Sequence, residues 1–212
     1  MLEAISLSCT RGDCTLFRDV SFKLESRGLL HVAGVNGSGK TSLLRILCGL
    51  GAADAGEVRW RGETIRALRE AYWREVVYIG HANSLKDDLS AIENLQVACT
   101  LAGEPVAIDA IRLALAQFGL APCAHLPVRA LSQGQKRRST LARLALSTEA
   151  PLWILDEPFS ALDAVAVKHL ETLIIAHIDS GGSAIFTTHQ DAAIASRISQ
   201  RIDLDAQPGV AC

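Results

Sequence analysis

The stretch Gly34-Val35-Asn36-Gly37-Ser38-Gly39-Lys40-Thr41, followed by Ser42, decides the reading of this chain. It fits the pattern G-x-x-x-x-G-K-S/T. Its context suits the chemistry, because an apolar strand over Leu29–Ala33 precedes it and a helix over about residues 41–50 follows. Glycines let the backbone curl until successive N–H groups point at one phosphate. The positive end of the following helix adds to that attraction. In such a loop Lys40 reaches the outer phosphates and the Thr41 hydroxyl binds Mg²⁺.

Working outward, Leu152–Leu155 reads as a fully apolar strand that ends in Asp156-Glu157-Pro158. Continuous apolarity is what a parallel strand buried on both faces requires. Ligands of such sheets bind just beyond the carboxyl ends of the strands. Asp156 is thereby expected beside the phosphate loop as a holder of Mg²⁺, and Glu157 as the general base that polarises a water. Val76–Gly80 and Ala184–Thr188 read as further strands, with a helix over about residues 164–178 between the last two. Strands separated by helices imply an α/β fold with a mostly parallel sheet. Two stretches depart from this pattern. Residues 1–28 and 56–65 hold short alternating runs with turn residues and read as antiparallel strands. Residues 82–148 read as helical, with Ser90 and Glu93 forming a capping box, a helix over about 107–118 stopping at Gly119, and another opening at Ser132 with Gln135 three residues on. The expected organisation is one domain, with a core of 1–81 and 149–212 and a helical subdomain of about 82–148 inserted into it.

The chain has 212 residues, 49% hydrophobic and 21% charged, which is ordinary globular usage. No apolar run is long enough to span a bilayer. The start, MLEAISLSCTRGD, lacks a charged-then-apolar leader pattern, so a cytoplasmic protein is expected. The charge balance is 21 − 23 = −2, without the basic excess of a nucleic-acid binder, and no nucleic acid is expected as partner. Six cysteines, Cys9, Cys14, Cys48, Cys99, Cys123 and Cys212, form no C-x-x-C pair and read as scattered reduced thiols.

Leu131-Ser132-Gln133-Gly134-Gln135, taken with the phosphate loop, Asp156-Glu157, Ser160-Ala161-Leu162-Asp163 and His189, resembles the ATP-binding cassette family over nearly the whole chain. The resemblance implies a P-loop NTPase core with an antiparallel β subdomain and an inserted helical subdomain carrying the signature motif. It implies ATP and Mg²⁺ as ligands. It makes L-S-x-G-Q the signature loop, which grips the γ-phosphate held by another subunit, so that Ser132, Gly134 and Gln135 serve a second copy in an ATP-sandwich dimer. Asp163 falls in the D-loop, and His189 is the switch histidine that steadies the water with Glu157. The run Lys136, Arg137 and Arg138 reads as a solvated helix face.

Two positions depart from the general family. Its adenine-stacking aromatic corresponds to Arg11, whose guanidinium plane can also stack, although an exposed turn arginine beside Gly12 reads as well. Its glutamine at the junction of core and helical subdomain corresponds to His81. Gly80-His81, Lys86, Leu89–Leu95 and Thr187-Thr188-His189-Gln190 are similar to one subfamily, the ATP-binding subunits of the haem exporter of cytochrome c maturation. That likeness implies a peripheral subunit on the cytoplasmic face of the inner membrane, partnered by integral membrane permeases. The ATPase of another small transporter is the alternative. A soluble cassette acting on ribosomes or DNA fits less well, since the chain has one copy and no heptad run.

Overall fold

Two sheets carry the fold, and a computed structural model describes residues 1–189 and 193–205. The first is a four-stranded antiparallel sheet of β1 (Leu2–Arg11), β2 (Cys14–Leu24), β4 (Ala55–Trp60) and β5 (Glu63–Thr64), in the order β2-β1-β4-β5. The second is a five-stranded parallel sheet of β3 (Leu29–Ala33), β6 (Val76–Ile79), β7 (Leu152–Leu155), β8 (Ser183–Thr187) and β9 (Gln200–Asp203), in the order β6-β7-β8-β3-β9. The edge strand β9 carries Arg201 and Asp203 and had no clear apolar signature in the sequence.

Side chains on a strand alternate between faces, and the parallel sheet uses this to divide its core. Trp153 and Leu155 of β7 and Leu29 of β3 join one apolar cluster. Leu152, Ile154, Leu30 and Val32 join the other. The second cluster is closed by α1 (Lys40–Leu47) and the antiparallel sheet, whose Leu2, Leu7, Phe17 and Leu24 point into it. Two short helices, α2 (Ile65–Leu68) and α3 (Glu70–Arg74), cap its rim, where Tyr72 donates a hydroxyl bond of 2.6 Å to Leu47 O.

The first cluster is closed by α7 (Ala164–Asp179) and by α4 (Ala91–Leu101), α5 (Ile108–Gln117) and α6 (Gln133–Leu141), with a 3₁₀ turn over Ala142–Leu146. Capping explains where α4, α6 and α7 begin. Ser90 and Glu93 form a reciprocal box at α4, Ser132 and Gln135 form another at α6, and Asp163 Oδ1 accepts from Ala166 N at α7. Helix α1 stops at Leu47, short of the expected residue 50, because the chain turns at Gly49 with φ of 77°.

Cys9, Cys48, Cys99 and Cys123 are free and buried. Gln190 and Cys212 lie outside the described residues. No helix among the described residues is long and apolar enough to cross a membrane.

Three histidines are packed into the first core's surroundings. His177 stacks on Trp153 at 3.8 Å, His31 stacks on Phe186 at 4.9 Å, and His169 meets Phe118 edge-on at 4.6 Å. Burial lowers the pKa of all three, because a charged imidazole would lose its hydration there. The unfolded chain takes up protons near the ordinary value of about 6.5, while the folded chain resists them. Stability is therefore expected to be full above that value and to fall as pH drops through about 6.5 toward the lowered folded-state values. Urea midpoints measured at pH 7.5 and 5.5 check this, with the lower midpoint at 5.5.

Candidate functional site

A cleft of about 510 Å³ opens beyond the carboxyl ends of the parallel strands. Asn36, Gly37 and Gly39 of the loop that begins at Gly34 line it. Gly39 occupies the position before α1 with φ of 94°, and a Cβ there would lie 2.9 Å from the Leu16 Cβ, so conformation and space both demand glycine. No side chain caps α1, which leaves its first-turn N–H groups directed at the loop. Lys40 arches back over the turn, its Nζ donating to Gly34 O at 2.7 Å and Val35 O at 2.9 Å. Ser38 is buried under the loop, and its Oγ has no partner.

The wall of the cleft is a chain of hydrogen bonds that joins three elements. Thr41 Oγ1 of α1 donates to Asp156 Oδ2 at 2.7 Å. Thr187 Oγ1 of β8 donates to Asp156 Oδ1 at 2.9 Å and accepts from Glu157 N at 2.8 Å. Asp156 N in turn donates to Ile79 O of β6 at 2.8 Å. Asp156, only 1% exposed, therefore has a hydroxyl donor on each carboxylate oxygen. Glu157 sits at φ of 48°, a left-handed conformation unusual for a side chain of its size. This twist accompanies a carboxylate on the cleft wall, where Oε1 has no hydrogen-bond partner. His189 Nε2 stands 3.4 Å from Oε1, within ion-pair distance but outside hydrogen-bond geometry.

Asn36, Gly37, Ser42 and His81 complete the lining together with two residues that sequence reasoning did not single out for the site, Leu16 and Ser160. Arg11 is not part of it. It is exposed at the end of β1, paired in register with Cys14 across the hairpin. Phe17 is fully buried in the core against Gly39. Val35 points outward at 65% exposure. Ser132, Gly134 and Gln135 lie at the start of α6 and do not line this cleft. Asp163 Oδ2 lies 3.6 Å from Arg138 Nη1.

One expectation is corrected outright. The run of Lys136, Arg137 and Arg138 is not a uniform solvated face, because Arg137 is 3% exposed. Its guanidinium donates to Gly80 O, Asp156 O and Glu157 O, each at 2.8 Å. A run of three basic residues carries no sign of which one turns inward, since that depends on how α6 lies against the sheet.

The pattern of the ABC transporter family matches residues 17–160. The chain belongs to that family. As an ABC cassette it binds ATP and is an ATPase coupled to transport. It is 52% identical over 195 residues to the cytochrome c biogenesis ATP-binding export protein CcmA of Aromatoleum aromaticum, covering 92% of this chain and 91% of that one. It is 50% identical over 203 residues to the protein of the same description from Nitrosospira multiformis, covering 96% and 98%. Among solved structures, an ATP-binding subunit of an ABC transporter superposes with a TM-score of 0.84 at 24% identity, over 96% of this chain and 85% of that one. A dimeric cassette in a post-hydrolysis state with ADP and Pi gives 0.80 at 21% identity, over 96% and 94%.

The hydroxyl of Thr187 offers a direct test of the wall. Thr187→Val keeps the shape but leaves Asp156 Oδ1 and Glu157 N without their partner in a buried place. The expected cost is about 2 kcal/mol of stability, read from urea unfolding, with a matching fall in ATPase rate. Thr187→Ser is expected to recover both.

Proposed function

We propose that this chain is the ATP-hydrolysing subunit of the haem exporter of cytochrome c maturation, bound peripherally to integral membrane permeases at the cytoplasmic face of the inner membrane. The observation that carries the reading is its 52% identity to a cytochrome c biogenesis ATP-binding export protein across nearly its whole length. The lack of any membrane-spanning helix among the described residues fits a subunit that works through separate permeases.

In this reading the triphosphate lies along residues 34–42, met by loop N–H groups and by the positive end of α1. Lys40 exchanges the carbonyls of Gly34 and Val35 for the outer phosphates. The residues present fit Mg²⁺. Thr41 Oγ1 and Asp156 Oδ2 are hard oxygens 2.7 Å apart, and no cluster of three His, Cys, Asp or Glu side chains among the described residues offers a rival cage. Mg²⁺ characteristically takes one or two protein oxygens and completes its shell with phosphate and water. When bound, it neutralises charge that develops on the phosphates. Glu157, which lines the cleft, accepts the proton of the attacking water, and His189 steadies the γ-phosphate side of the cleft. His81 borders the same space and suits a phosphate or a water better than a metal, since neutral imidazole is a poor Mg²⁺ ligand.

Ser132, Gly134, Gln135 and Asp163 are assigned to the nucleotide of a second copy arranged head to tail. Their place at the start of α6, outside this chain's cleft, supports that assignment, since the positive end of a helix attracts an anion. Adenine contact by Arg11 needs the β1–β2 hairpin to reach over the base, with Leu16 beneath it.

Two comparisons test the proposal. Lys40→Ala is expected to abolish ATP binding by the isolated chain. Ser132→Arg is expected to spare that binding while blocking dimerisation and hydrolysis. Equal loss of binding in both would defeat the shared site. Solubilised membranes should yield this chain together with permeases of cytochrome c maturation. Permeases of another system would transfer the ATPase to a different transporter.

A further inference from the structure

Arg137 is buried, at 3% exposure, and neither its charge nor its place has a role in the mechanism above. It projects from the second turn of α6, the helix that begins at the Ser132 cap. Its bonds run to backbone carbonyls rather than to a carboxylate side chain. Nη1 donates to Gly80 O, and Nη2 donates to both Asp156 O and Glu157 O, each at 2.8 Å. Burial works against the charged guanidinium, and the nearby charges of Asp156 and Glu157 work for it. A guanidinium is a rigid fork, so three bonds of this length fix the relative places of the groups that accept them.

Those groups are the ends of two strands. Gly80 immediately precedes His81. Asp156 and Glu157 are the carboxylates of the cleft. Glu157 has φ of 48°, a conformation that persists only where neighbours over-determine it. Its N–H is held by Thr187 Oγ1 and its carbonyl by Arg137 and by Ser160 N. Of these holders, Arg137 alone comes from the helix that carries Ser132.

We infer that Arg137 is a positioning residue for hydrolysis, which holds Glu157 in its left-handed conformation and makes the aim of its carboxylate depend on where α6 lies. This rests on Glu157 being the base. When Ser132 engages a nucleotide, any displacement of α6 is passed through the guanidinium to Gly80 and Glu157 together. A fork that only fastened α6 to the sheet would have no special relation to Glu157.

Arg137→Met, Arg137→Lys and Glu157→Gln, singly and combined, test this in the full chain with its membrane partners, by steady-state ATPase rates. Arg137→Met is expected to lower kcat on the order of 10²-fold, as small misplacements of catalytic groups do, with KM for ATP unchanged within about threefold. Arg137→Lys, which retains the charge and reaches some of the carbonyls, is expected to regain roughly tenfold of that loss. In the Glu157→Gln background Arg137→Met is expected to cost less than about twofold, because residues that act as one unit do not add. Equal losses in both backgrounds would overturn the inference, and so would a wild-type kcat in Arg137→Met. If Arg137→Met does not fold, Arg137→Lys carries the same cycle. A wild-type rate in Glu157→Gln alone would overturn the base assignment, and the inference with it.

Discussion

Asp156 takes one hydroxyl on each of its carboxylate oxygens, from Thr41 on α1 and from Thr187 on β8. The rest of the site depends on that double bond of attachment. A carboxylate with almost no exposure is costly unless it is hydrogen-bonded, and here each oxygen accepts one charge-assisted hydroxyl bond. In meeting that requirement, the protein brings the start of the phosphate-loop helix, the end of β7 and the end of β8 to one point. Thr187 then uses its remaining capacity to accept the Glu157 N–H, so the same hydroxyl that satisfies Asp156 also fixes the turn at Glu157.

The sheet supplies the frame on which this is possible. Strands β6, β7, β8 and β3 run parallel, so their carboxyl ends lie on one edge. Alternation along β7 sends Trp153 and Leu155 to the helical side and Leu152 and Ile154 to the side of α1. Both faces are thereby sealed by apolar contact, and the polar groups are confined to the strand ends.

The helical region is joined to that edge by more than packing. Its side chains share one cluster with β7, β8 and α7. Lys136 reaches Asp87 at 3.2 Å and Arg138 lies 3.6 Å from Asp163 at the surface, where ion pairs contribute little. Arg137, between them, is inside. The two outer basic residues thus share one environment and the middle one has another, because the helical period places only Arg137 against the strand ends.

Much of this was legible in the sequence because it depends on local chemistry. The phosphate loop needs glycine at left-handed positions and a lysine and hydroxyl at the helix start, and those residues stand in order from Gly34 to Ser42. The apolar run of β7 ending at Asp156 and Glu157 declares a buried strand and its polar end, and the two capping boxes declare their helices. What the sequence could not determine were contacts between residues far apart in the chain. Thr187 and Asp156 are 31 positions apart, and Arg137 and Gly80 are 57 apart, so each pairing follows from the sheet order and the way α6 lies against it. The same holds for the mouth of the cleft. Arg11 and Leu16 belong to one hairpin, and only the packing of that hairpin on Gly39 put Leu16 at the nucleotide edge and left Arg11 in solvent. Local rules specify the elements and their ends, whereas close packing of side chains from distant elements specifies which atoms meet.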